Sequence, residues 1–143
     1  MTMIKHPVLY RIVMMILFAA YLAAVTWICF GPGKTDMDMP QSIFGIPFDK
    51  CVHFLMFLPF PILGTLAFNF RSWWRSLSIT TLIANAIAFS FENLQSVITT
   101  NRVTDPADLN ANVLGIATGL LIMVLIGLIR PVHSSSGTAP GSR

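Results

Sequence analysis

Four long apolar runs separated by short polar stretches set the pattern of this chain. Residues 12–30 carry no ionisable side chain except Tyr21 and Cys29, and residues 51–70 carry only Cys51 and His53. Residues 76–91 and 109–129 carry none, although Asn110 and Asn112 sit near the start of the last run. A helix needs ~20 mainly apolar residues to cross the bilayer core. The runs therefore predict four spans, the third completed by residues beyond Glu92. They lack the polar–apolar alternation of a membrane barrel. The expectation is an all-α membrane protein, a four-transmembrane-helix bundle.

The polar stretches set the expected ends. The first span is expected over about residues 12–30, with Trp27 and Phe30 near the far interface. A cleaved signal peptide is the competing reading, but the run is too long for one and no Ala-x-Ala pair follows it. Residues 31–50 hold three glycines and three prolines, which predicts turns. Gly31-Pro-Gly-Lys-Thr35 suggests a phosphate loop, yet that motif needs a glycine where Ile28 stands, and a strand ahead of it. The second span starts near Phe48, and Pro59 and Pro61 predict a kink near its middle. The third runs from about Ser76 towards Ile98. Asp105 as N-cap, Pro106 in the first position and Asp108 in the first turn read as the start of the fourth. Residues 131–143, rich in Ser, Gly and Pro, read as a disordered cytoplasmic tail.

Composition agrees: 55% of the residues are hydrophobic, 10% are charged, and mean hydropathy is +0.72. With the N-terminus inside, Lys5, Arg11, Arg71, Arg75, Arg130 and Arg143 fall on the inner side, against Lys34, Lys50 and Arg102 outside. That bias predicts both termini in the cytoplasm and a multi-pass protein of the cell (inner) membrane. All six acidic residues, Asp36, Asp38, Asp49, Glu92, Asp105 and Asp108, then lie on the outer side. Cys29 and Cys51 approach that same side. A disulfide is one reading, and two small residues packed in apolar surroundings is the weightier one.

Charged groups at span ends are costly unless something uses or satisfies them. Asp49 and His53 are four apart, Glu92 and Gln95 three apart, and Asp108 and Asn112 four apart, so each pair shares one helix face. Arg102 stands in the connector. Carboxylates near an imidazole and a guanidinium suit acid–base work and phosphate recognition. The expected catalytic set is His53, Glu92 and Asp49; the expected substrate-binding set is Arg102, Gln95, Asp108, Asn112 and Lys50. Plainer roles stand beside these. Asp105 and Asp108 cap a helix, Lys50 snorkels to the interface, and His53 bonds between helices. Gly115 and Gly119 form a small-xxx-small pattern for close helix packing. A metal on His53, Asp49 and Glu92 is not expected, because one histidine on this side makes a poor ligand set.

Asp49-Lys50-x-x-His53-Phe54, Glu92-x-x-Gln95, Arg102 and Asp108-x-x-x-Asn112-x-x-Gly115-x-x-x-Gly119 together resemble the VanZ-like family of small bacterial membrane proteins, named for a teicoplanin-resistance protein. The resemblance covers residues 49–129, within a four-helix domain over residues 1–130. The departures, Pro59 and Pro61 in the second span and the long first loop, lie outside those motifs. It implies a role in the cell envelope and in glycopeptide susceptibility, without a settled reaction or cofactor. The partners expected are the lipid bilayer and a lipid-linked envelope precursor, with no nucleic acid. Three functions follow for the polar set: an enzyme on an envelope lipid or glycan precursor, a non-enzymatic binding factor, or a lock between helices. A transporter fits less well, since four spans are few and no internal repeat is visible.

Overall fold

The computed structural model describes residues 7–31, 42–43, 45–68, 72–98 and 106–129. The helices are α1 (Pro7–Phe30), α2 (Phe48–Phe57), α3 (Pro59–Phe68), α4 (Trp73–Ile98) and α5 (Pro106–Ile129). Among the described residues, four stretches are long and apolar enough to cross a membrane: Val8–Phe30, Phe48–Phe68 (α2 and α3 together), Trp73–Gln95 and Pro106–Ile129. The four expected spans are therefore all present. Two begin earlier than the apolar runs suggest. Pro7 opens α1, a position where the missing N–H costs a helix nothing. Trp73 and Trp74 join α4, whose first turn is braced by the Ser76 amide and hydroxyl donating to the Ser72 carbonyl at 3.0 and 3.2 Å.

The expected kink appears as a break between α2 and α3. Pro59 and Pro61 have no N–H to donate to the carbonyls one turn back, at Leu55 and Phe57. The Leu58 amide still reaches the Phe54 carbonyl at 3.1 Å, so the chain leaves α2 in helical geometry and restarts at once. Tyr21 of α1 donates its hydroxyl to the Met56 carbonyl, tying the neighbouring helix to this break. Phe18, Tyr21, Phe57, Phe60 and Phe68 pack around it, with Phe18 edge-on to Phe60 at 5.3 Å. Edge-to-face pairs of this kind add to the apolar contact itself.

Small residues bring the helices together. On α4, Ser76, Thr80, Ala84 and Ala88 recur every fourth residue and are all buried. A Cβ on Gly64 of α3 would stand 2.2 Å from the Thr80 methyl, so that crossing needs a glycine. On α5, a Cβ at Gly115 would lie 2.3 Å from the Phe54 carbonyl oxygen, and one at Gly119 would lie 2.3 Å from that of Leu58. The expected small-xxx-small packing is therefore made, and it is made against backbone at the α2–α3 break. Large apolar side chains such as Leu9, Ile16, Leu82, Phe89, Leu114 and Leu125 point outward, as lipid-facing positions do.

The first loop contributes an element that the sequence reading lacks: a short antiparallel hairpin, β1 (Ser42–Ile43) and β2 (Ile46–Pro47), leading straight into α2. Gly45 turns it with φ 81°, the left-handed region that favours glycine. Cys29 is buried at the end of α1 and Cys51 is half-buried in α2, each as a thiol.

Candidate functional site

The end of α1, the start of α2, the end of α4 and the start of α5 lie at one end of the bundle. Most of the polar residues singled out in the sequence meet there. α2 and α5 are the most closely packed helix pair, because Gly115 and Gly119 let backbone approach backbone. Positions one and two turns before Gly115 on the same face of α5 are Asn112 and Asp108. Both are buried and both are turned towards α2.

Two α2 side chains, His53 and Lys50, meet them. The His53 ring, 3% exposed, sets Nδ1 3.0 Å from Asn112 Oδ1. Its Nε2 stands 3.6 Å from Asp108 Oδ2, an ion-pair separation rather than a hydrogen bond. The other Asp108 oxygen takes a hydrogen bond and ion pair from Lys50 Nζ. Lys50 also lies 3.0 Å from Asp49 Oδ2. Asp49, Lys50, Asp108, His53 and Asn112 thus form one connected set. It grades from a 48% exposed Asp49 side chain, through Lys50 at 17%, to nearly sealed Asp108 and His53.

This arrangement has definite chemical capacities. With a proton on each ring nitrogen, His53 faces an oxygen acceptor at both ends; with one, it can receive a proton at Nε2 from the Asp108 side. Asp108 couples that proton to Lys50, so charge on the ring and charge on the ammonium are felt by the same carboxylate. Burying such a pair is tolerated only because each member is matched. Lys50, in the sequence both a candidate substrate contact and an interface anchor, is a bridging cation here. Its spacing of three from His53 puts the two on one helix face, and that signal alone could have grouped them.

α4 supplies the remaining residues. Glu92 and Gln95 are buried and continue the stripe of Ser76, Thr80, Ala84 and Ala88 towards the polar end. Gln95 does not join the α2–α5 set through any described bond. Its Nε2 donates to the Cys29 carbonyl at 3.2 Å, satisfying one of the last carbonyls of α1, and Phe91 meets Phe30 edge-on at 5.2 Å beside it. Arg102 and Asp105 lie outside the described residues. Among the described residues, no three His, Cys, Asp or Glu side chains gather in a group fit to hold a metal ion.

Compared with known proteins, the chain matches the family model described as VanZ/LLP1 over residues 8–127. No curated protein and no solved structure matches it. The matched region takes in the first three spans, nearly all of the fourth and every residue of the α2–α5 set. This four-helix membrane protein belongs to the VanZ/LLP1 family.

Proposed function

We propose that this protein works in the bacterial cell (inner) membrane, both termini in the cytoplasm, and that its polar end binds the headgroup of a lipid-linked cell-envelope precursor. Altered susceptibility to a glycopeptide such as teicoplanin would follow from that binding. One observation carries the reading: a charged set, Asp49 and Lys50 with Asp108 and His53, is built into the start of two membrane-length spans and graded from exposed to buried. Intramembrane charge is expensive, and it is retained at sites where ions, protons or headgroups are handled. In this scheme Lys50, with Arg102 from the connector, meets the anionic group. His53 holds or moves a proton, with Asp108 and Asn112 orienting its ring, and Glu92 forms the wall on α4.

The test is recovery of envelope lipid with the purified protein. Native mass spectrometry of the wild type should show a retained phosphate-bearing lipid. His53→Ala should lose it while keeping its helix content, and cells producing that variant should lose any change in teicoplanin susceptibility. Retention of the lipid by His53→Ala would sink the reading.

A second reading has its own observation: Lys50, His53, Asp108 and Asn112 satisfy one another directly above the Gly115 crossing, as a lock between α2 and α5 would. On that reading no lipid is retained, and every loss of function tracks a loss of thermal stability in detergent.

A further inference from the structure

The two carboxylates described on Lys50 are not equivalent, and their difference bears on which headgroups the site accepts. Asp108 is 5% exposed and its second oxygen faces His53, so removing it from Lys50 would strand a buried charge. Asp49 sits in the first turn of α2, its side chain is 48% exposed, and it can swing into water when it leaves Lys50. An anion reaching Lys50 from outside therefore competes with Asp49 and leaves Asp108 in place.

Charge decides that competition. A phosphodiester headgroup carries one negative charge, so its exchange for Asp49 replaces one unit charge by another on the same ammonium. A phosphate monoester carries about −1.5 to −2 near pH 7, because its second pKa is near 6. It also brings three acceptor oxygens, so it can take up the donor that Asp49 leaves in more than one orientation. Only the monoester gains on the exchange. We infer that Lys50 is an entry port selective for phosphate monoesters, and that Asp49 is the displaceable carboxylate that turns singly charged headgroups away.

This inference rests on the headgroup-binding reading above, and the experiment separates the two. The full chain is placed in phosphatidylcholine nanodiscs doped with phosphatidic acid, a monoester, or with phosphatidylglycerol, a diester, and bound anionic lipid is counted by native mass spectrometry. Wild type should retain the monoester in preference to the diester. Asp49→Asn, a change at an exposed position, should raise diester retention about two- to fivefold, the range expected for loss of an exposed ion-pair competitor, and so narrow the preference. Inorganic phosphate is then offered to the protein in undoped nanodiscs, with the ³¹P signal read out. Binding there identifies free phosphate as a source of the group, and its absence assigns the port to lipid headgroups. Equal retention of the two lipids by wild type, with no change in Asp49→Asn, overturns the selectivity and leaves headgroup binding standing. Retention of neither lipid by wild type overturns both.

Discussion

Replacing Gly115 by alanine tests how the α2–α5 crossing holds the polar set. The added Cβ would meet the Phe54 carbonyl oxygen at 2.3 Å, the Leu58 nitrogen at 3.1 Å and the Phe54 carbonyl carbon at 3.2 Å. All three are backbone atoms, so no rotamer change relieves the clash. The helices must part by roughly 1 Å to restore ordinary contact, enough to forfeit a large share of each dispersion contact across the seam. Overpacking of this kind costs ~1–3 kcal/mol. The displacement also reaches the site. His53 directly precedes Phe54, and Asn112 lies three residues before Gly115, so the 3.0 Å contact between them opens towards about 4 Å, beyond hydrogen-bond range. Equilibrium unfolding in detergent should show the stability loss. Histidine ¹⁵N spectra should show Nδ1 of His53 losing its partner. A Gly115→Ala protein as stable as wild type, with an unchanged His53 signal, would refute the account of this crossing.

Other changes give independent checks. In a double-mutant cycle of Lys50→Met and Asp108→Asn, a coupling of about 0.5–3 kcal/mol in unfolding free energy is expected, and strict additivity would show that the two do not act together. Gln95→Leu removes the donor to the Cys29 carbonyl and should cost ~0.5–1.5 kcal/mol while leaving lipid retention intact; loss of the lipid would place Gln95 in the site instead. A green fluorescent protein fused to the C-terminus should fluoresce, and a phosphatase fused there should be inactive, if both termini are cytoplasmic. The opposite pair of results would invert the topology.

The frame of this fold was open to reading because hydrophobic runs and helix-end residues act locally. Phe48 and Pro106 start helices as their sequence contexts imply, and Gly115 and Gly119 make the close approach their spacing announces. Spacing also put Asp49 with His53 and Asp108 with Asn112 on common faces. What periodicity does not carry is the identity of the neighbour each face meets. Glu92 and Gln95 read equally well as part of the His53 cluster, yet Gln95 is spent on the last turn of α1. Lys50 read as a headgroup contact or a snorkelling anchor, and its ion pair stayed hidden because Asp108 lies 58 positions away. The hairpin before α2 was equally hidden: two residues per strand are too few for a period, and Gly45 among many loop glycines and prolines carries no mark of its own.

In the proposed site Lys50, held by buried Asp108, meets the phosphate of an envelope headgroup. Lys5 and Lys34 are the other lysines of the chain, so a Lys5→Arg, Lys34→Arg protein labelled with ¹⁵N-lysine reports on Lys50 alone. Solid-state NMR of that protein with retained lipid measures the dipolar contact between Lys50 Nζ and headgroup ³¹P. Direct transfer is expected, with nitrogen and phosphorus within roughly 4 Å, as a charge-assisted ammonium–phosphate hydrogen bond requires. Retained lipid whose phosphorus shows no contact with Lys50 would contradict it.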